Sequence, residues 1–415
     1  MKPHSDVLVV GAGIVGLAHA WAAVRRGLSV TVVERDHHCV GASIRNFGFI
    51  TVTGQPAGAT WRRARASREL WAEVAPQAGI PIEHRGLWLL ARRPRAGAVL
   101  EAFMRTEMAD GNVLYDAAEA AALAPALRTE GISAAMYSPH ELRVESRLAI
   151  PRLASWLAAQ HGVQFVFGEA VLHVDTPRVR TAARWLHAER VVLCAGAELS
   201  GVAHGALARH ALRLTRLQML RVRPEPGFRL PAAVMGDLSL VRYGGYAALP
   251  EAVALRAQLE DEEAESLAHG IHLIAVQSAD GTLVVGDSHH YGPVLPPFAS
   301  EAVDRLILDE LHRQLALPSL EVVERWTGVY PVSASAPARP RANTSQISAA
   351  GMAPGYCGKP GDGCGKPVQG GTTTLRASCG ARVFPCPCGP MPGSPAKPRP
   401  TTSLTRYRLG HQRIR

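Results

Sequence analysis

Near its start the chain runs through eighteen consecutive residues without a formal charge, Val7 to Val24, inside "DVLVVGAGIVGLAHAWAAVRRGLSVTVVERD" (residues 6–36). A membrane-spanning helix needs a run of about that length, yet this one divides into two periods. Val7–Val10 is a β-branched apolar run with the character of a buried parallel strand. "GAGIVG" follows, which a spanning helix does not need, and Ile14–Arg26 carries a helical pattern that Gly27 stops. "SVTVVE" gives a second apolar strand closed by an acid. Strand, glycine turn, helix and strand make a βαβ unit. Asp6 stands where a signal peptide would carry positive charge. The expectation is neither a membrane span nor a leader, and a cytoplasmic chain.

A chain of 415 residues can bury more than one core, and 47% apolar with 19% charged residues is the composition of a globular enzyme. The net charge of +10 would suit nucleic acid or an anionic membrane, but it is unevenly placed. Residues 332–415 hold twelve Lys/Arg against one acid, Asp362; they account for +11, which leaves −1 for residues 1–331. No nucleic-acid partner is expected for that neutral body. Its two cysteines, Cys39 and Cys194, fit a reducing compartment. Cys357, Cys364, Cys379, Cys386 and Cys388 lack the paired C-x2-C spacing of a structural zinc site, so no metal is expected.

Beyond the opening unit, residues 56–79 read as a basic amphipathic helix with a solvated face. Ile82–Leu90 and Gly131–Tyr137 are strand-like around an Ala-rich helical segment, Asp116–Leu127. Residues 147–162 form a helix stopped by Gly162; "VQFVFGEAVLHVD" gives two strands, and residues 187–200 a buried strand running into a Gly turn. Residues 211–222 and 271–287 alternate like antiparallel strands, 301–315 is helical, and 322–333 returns to strand.

The glycine turn carries the first chemistry. Gly11 permits the tight turn, Gly13 lets backbone approach a diphosphate, and Gly16 allows close helix–strand packing. The phosphates then sit on the N–H groups around Ile14 and Val15, at the positive end of the helix dipole. Glu34 ends the second strand eighteen residues after Gly16, where a carboxylate can accept both ribose hydroxyls of an adenosine. That charge would repel a 2′-phosphate, despite the neighbouring Arg35.

The spacing G-x-G-x-x-G-x3-A-x6-G-x2-V-x3-E over residues 11–34 resembles the dinucleotide motif of the glutathione-reductase-type flavoproteins. "VVLCAGA" (191–197) resembles their second strand–Gly turn, "GASIRNFGFI" (41–50) the segment along the ribityl–flavin side, and "RWTGVYP" (325–331) the W-x-G-x-x-P run that returns to the flavin. Together these resemble the D-amino-acid oxidase, glycine oxidase and sarcosine oxidase group. "SIRNFG", "SPHELRVESRLAIPRLASWL" and "LQMLR" look more narrowly like a subgroup proposed to act on aminophosphonates. The resemblance spans about residues 5–333.

It implies an α/β fold: a glutathione-reductase-type, Rossmann-like FAD-binding domain from residues 1–85, 143–212 and 323–345, plus a mixed-sheet α+β substrate domain from 86–142 and 213–322. It implies FAD as cofactor and hydride transfer from an amine-bearing carbon to the flavin, with oxygen or another acceptor reoxidising it. The partners expected are a small amine, including one bearing a phosphonate or carboxylate, and that acceptor. The implied cofactor residues are Gly11, Gly13, Ile14, Val15, Gly16, Glu34, Arg35, Ser43, Arg45, Asn46, Val171, Ala195, Gly196 and Gly328. The implied catalytic residues are Arg45, Tyr243, His289 and Tyr330; Arg216, Arg242 and His290 are further candidates for an anionic group, because a guanidinium fork matches carboxylate or phosphonate. Each has a plainer reading as an exposed strand residue, a loop histidine or a half-buried aromatic. "VVGDSHH" (284–290) is read as a substrate-sheet strand ending near the flavin, and Cys39 and Cys194 receive no catalytic role.

After Ser333 the chain departs from that family. Proline and glycine become frequent, acids nearly vanish, and the strand and final helix that close the flavin pocket cannot be found. Residues 346–415 read either as a disordered tail or as the product of a shifted reading frame. The alternative to an active enzyme is a catalytically impaired flavin-fold remnant, because that closing strand and helix are missing.

Overall fold

The computed structural model describes residues 4–333. The expected tail, and the closing strand and helix sought after Ser333, lie outside the described residues.

The opening stretch forms the strand His4–Val10, the helix Ile14–Val24 and the strand Val30–Val33. These strands are the middle of a six-stranded sheet ordered Gln164–Val166, Val30–Val33, His4–Val10, Trp185–Leu193, Arg178–Thr181, Val171–Asp175. The first four run parallel, and Arg178–Thr181 runs antiparallel to both of its neighbours. Side chains alternate across it: Val7 and Val9 enter one core, Leu8 the other. Ile14–Val24 and Ser146–His161 cover the first face and meet through Trp21 and Trp156, with ring centroids 4.8 Å apart. Gly162 ends the second helix in the left-handed region, as its position in the sequence requires.

The basic helix runs Ala59–Gln77. Arg62, Arg63 and Arg65 are exposed, whereas Trp61, Leu70, Trp71 and Val74 are buried. Asp116 caps the Ala-rich helix, Ala117–Leu123, through a reciprocal capping box with Glu119. The strand expected at 131–137 is Ala134–Arg143, extending further than expected because it pairs with His84–Ala91. Among the described residues, no helix is long and apolar enough to cross a membrane.

The second sheet follows the order His290–Gly292, Leu212–Pro224, Leu283–Gly286, Ile274–Gln277, Ala233–Met235, His84–Ala91, Ala134–Arg143, Phe49–Ile50. Leu320–Ser333 lies along Leu212–Pro224, and Val113–Tyr115 along Ala134–Arg143. Its register matters for the site. Thr215 stands opposite both Tyr330 and Tyr291, so these three share a face. Arg216 stands opposite Val329 and His290, on the other face.

Candidate functional site

The glycine turn is built by close approach. Gly11 has φ +102°, and a Cβ there would lie 2.4 Å from the Cys194 carbonyl oxygen. A Cβ on Gly16 would lie 1.9 Å from the Gly11 carbonyl oxygen and 3.3 Å from Val9. Only glycine therefore lets the helix start this near the sheet. Gly13 is the N-cap of Ile14–Val24, with no side chain of its own to satisfy the first turn. Ser43 does part of that work: Ile14 N–H donates to Ser43 Oγ at 2.9 Å. Val15 packs against the first core and its carbonyl meets His19 Nδ1 at 2.7 Å.

Glu34 follows the Val30–Val33 strand. Its carboxylate accepts Ala12 N–H at 2.8 Å and Asp36 N–H at 3.1 Å. Glu169 N–H donates to the Glu34 carbonyl at 3.1 Å, which brings the chain leading to Val171 past this corner. Arg35 is exposed and pairs with Glu198 and Asp36. Ala195 and Gly196 follow the Trp185–Leu193 strand, Gly196 at φ +59°. A helix N-terminus with an uncapped glycine, a nearby hydroxyl and a carboxylate at the adjacent strand end is the donor set that suits the diphosphate and ribose of a dinucleotide.

The 41–46 segment joins this crevice to the second sheet. Asn46 braces the short turn, donating to the Ala42 and Ser43 carbonyls and accepting Gly48 N–H. Arg45 spends its guanidinium on the Val40 and Thr327 carbonyls. Its own carbonyl accepts Tyr330 Oη at 3.1 Å and Trp326 Nε1 at 3.2 Å. Gly328 makes room: a Cβ there would lie 2.7 Å from the Tyr330 ring and 3.2 Å from the Arg45 carbonyl oxygen.

Tyr330 opens onto a buried polar cluster. Asp287, His272, His289 and Tyr243 are each buried, and Tyr330 senses the Asp287 carboxylate. Burial, then that negative charge, push the Tyr330 phenol well above its ordinary value. Asp287 stands between two histidines, 3.4 Å from His272 Nδ1 and 3.8 Å from His289 Nε2. His272 Nε2 meets Tyr243 Oη at 3.4 Å, and His289 Nδ1 meets the Gly270 carbonyl at 3.1 Å. Burial, then the Arg242 charge, hold the His272 imidazole well below its ordinary value. Arg242 donates to Tyr291 Oη at 3.3 Å, and Thr215 Oγ1 is buried on the same face without a hydrogen-bond partner among the described residues.

The structure therefore brings Tyr243, His289 and Tyr330 together with Arg242 and separates them from other candidates. Arg216 donates to the Pro296 and Phe298 carbonyls, and His290 meets His269, both on the far face. His272 and Thr215 were missed. His272 sits in the apolar run "GIHLIAVQ", and only its place beside Asp287 gives it a role. Cys194, expected within a buried strand, lies just past the Trp185–Leu193 end and is half-buried.

A dinucleotide crevice coupled by one short segment to a buried polar face defines a flavin-type oxidoreductase fold. The chain belongs to the DAO family, FAD dependent oxidoreductase, whose model matches residues 6–352. FAD is thus its cofactor, and the uncapped turn and Glu34 fit that group. Among solved structures, glycine oxidase from Geobacillus kaustophilus is 18% identical with TM-score 0.66, covering 84% of this chain and 93% of that one. L-proline dehydrogenase from P. horikoshii is 17% identical with TM-score 0.66, covering 84% and 91%. L-alpha-glycerophosphate oxidase from Mycoplasma pneumoniae, with FAD bound, is 19% identical with TM-score 0.64, covering 85% and 92%. At such identities these likenesses show the fold alone. A coproporphyrinogen III oxidase from Propionibacterium freudenreichii subsp. freudenreichii is 41% identical over 63 residues, 15% of this chain and 12% of that protein.

Proposed function

We propose that this FAD-dependent oxidoreductase oxidises the C–N bond of a small amine that carries an oxyanion, an amino acid or an aminophosphonate. The observation that carries the reading is the tether between Tyr330 and the Arg45 carbonyl. It sets the buried Arg242–His272–Asp287–His289 face beside the segment that runs from the dinucleotide crevice. FAD, when bound, supplies the two-electron acceptor, later reoxidised by oxygen or another acceptor. The protein has to bind the substrate, orient its C–N bond and exclude water.

In this reading Gly11, Gly13, Ile14, Gly16, Ser43 and Glu34 hold the AMP half and diphosphate. Arg45 acts through backbone carbonyls, fixing the turn rather than touching the substrate. Arg242, beside Tyr291, takes the oxyanion, since a buried guanidinium favours a bidentate anionic partner. Tyr330 and Thr215 line the other end, where the reacting carbon lies.

The test is anaerobic titration of the yellow protein with an α-amino acid, an aminoalkylphosphonate and their hydroxyl analogues. Bleaching of the visible flavin band by the amines, and not by the hydroxyl analogues, is the expected result; bleaching by the hydroxyl compounds alone overturns the proposal. The impaired-remnant alternative predicts that no substrate bleaches the band. It rests on residues outside the described ones.

A further inference from the structure

We propose that Arg216 is a positioning residue. From the far face of the second sheet it clamps the strap 291–300 and, through Tyr291, sets Arg242 for the oxyanion of the substrate. That last step rests on Arg242 being the proposed oxyanion partner; the clamp does not. The strand Leu212–Pro224 serves both ends of the device, because its neighbouring residues point to opposite faces. Thr215 stands opposite Tyr291, and Arg216 opposite His290. Tyr291 therefore lies on the site face, where its Oη accepts Arg242 Nη2 at 3.3 Å, while His290 lies on the other.

The strap is held chiefly by polar contacts. Two of its large apolar side chains face water, Val294 at 84% exposure and Phe298 at 78%. Side chains left in solvent contribute no hydrophobic hold. Three polar side chains on the far face provide one. At the near end His290 Nε2 meets His269 Nδ1 at 3.0 Å. At the far end Gln218 accepts Ser300 N–H at 3.0 Å and donates to the Ser300 carbonyl at 2.7 Å. Between them Arg216 Nη1 donates to the Pro296 and Phe298 carbonyls. Arg216 and Gln218 are two positions apart, so one face of one strand holds the strap.

Taking a cation out of water is costly, and a buried guanidinium ordinarily meets a carboxylate. Arg216 is buried, yet among the described residues it bonds to backbone carbonyls alone. Charge-assisted bonds of this kind are stronger than neutral ones, which suits a clamp on a segment that packing does not fix. The hold reaches the site in one short step. His290–Gly292 is a strand of three residues, too short to fix Tyr291 alone, and Tyr291 is 44% exposed. The Tyr291 ring is steadied by Arg242 and by Arg213, whose guanidinium lies 4.9 Å from the ring centroid. Releasing 296–298 frees the residues just beyond this strand, so Tyr291 can swing and Arg242 loses its fixed partner. A guanidinium already set in place binds an oxyanion more tightly than one that must first be ordered.

The experiment uses the flavin-loaded full chain and propylphosphonate, which carries the anion without an amine. In Arg216→Met, hydrogen–deuterium exchange should quicken in peptides covering 290–300 and stay unchanged over 4–33. Calorimetry should give a propylphosphonate dissociation constant about 10-fold higher in Arg216→Met and in Tyr291→Phe, the cost of a hydrogen bond to a charged group. Both act on Arg242 through one contact, so the double variant should also lose about 10-fold and not about 100-fold. In the wild type, which needs no variant to fold, propylphosphonate should slow exchange over 290–300; in Tyr291→Phe it should not. Unchanged exchange in Arg216→Met overturns the clamp. Multiplied losses in the double variant, or equal slowing in Tyr291→Phe, overturn the step to Arg242. A wild type that binds no propylphosphonate sinks the oxyanion reading and that step with it, and exchange in Arg216→Met then decides the clamp alone.

Discussion

Tyr330 Oη donates to the carbonyl oxygen of Arg45 at 3.1 Å, across 285 positions of sequence. The contact ties the Leu320–Ser333 strand to the turn that starts from the dinucleotide crevice. Tyr330→Phe removes it, and with it the weaker contact to the Ala42 carbonyl at 3.3 Å. The expected loss is about 1 kcal/mol of stability, read as a lower denaturation midpoint. Gly328→Ala should cost more, because its methyl group would press on the Tyr330 ring and the Arg45 carbonyl. Equal effects from the two would argue against the tight approach described.

Glu34 is predicted to act through charge. Glu34→Gln can still accept Ala12 N–H, yet a neutral amide is a poorer partner for two ribose hydroxyls. FAD affinity should fall about 10- to 100-fold, the range for a hydrogen bond to a charged group, in a protein with unchanged circular dichroism. Gly16→Ala is the structural contrast. Its Cβ would meet backbone rather than a flexible side chain, so it should impair folding with or without FAD. An unchanged FAD dissociation constant in Glu34→Gln would remove the carboxylate from the site.

Glu310 gives a pH dependence. Burial raises its carboxyl to about 7 from 4.5, against the opposing contacts of Gln314 and Arg313. The folded value lies above the unfolded one, so the folded state holds the proton more tightly. The associated stability is fully present below about 4.5 and is lost as pH rises through about 7. Thermal midpoints should fall across that window in the wild type, and Glu310→Gln should flatten the fall. A parallel profile in the variant would assign the trend to other groups.

Cys39 should be a slow thiol. Burial, and then the charges of Glu34 and Asp36, push it up to about 11. Thiolate is the reacting form, so iodoacetamide should label Cys39 slowly at pH 7.5 and faster as pH rises. Peptide mass spectrometry gives the rate at this residue separately from the other cysteines. Rapid labelling at neutral pH would contradict the burial.

The parallel half of the fold was legible because its signals are local. Gly11, Gly13, Gly16 and Glu34 stand at spacings dictated by one turn and one strand, and no distant residue is needed to read them. The buried face was legible only in part. Tyr243, His289 and Tyr330 stood out by side-chain type, but which of them meet depends on the pairing of Leu212–Pro224 with its neighbours. Nothing local distinguishes His272 from a core residue, or Arg216 from Arg242. The helices Pro94–Phe103 and Glu251–Glu262 went unread, the second because its apolar positions are too sparse to mark a face.

Thr215 and Arg216 are consecutive, yet one looks towards Tyr330 and the other towards the 296–298 loop. Replacing side chains at alternate positions can therefore retune which molecules are accepted while leaving the scaffold behind them untouched. Adding or deleting a single residue in this strand would exchange the two sets at a stroke. The strand can drift in composition, but its length is locked.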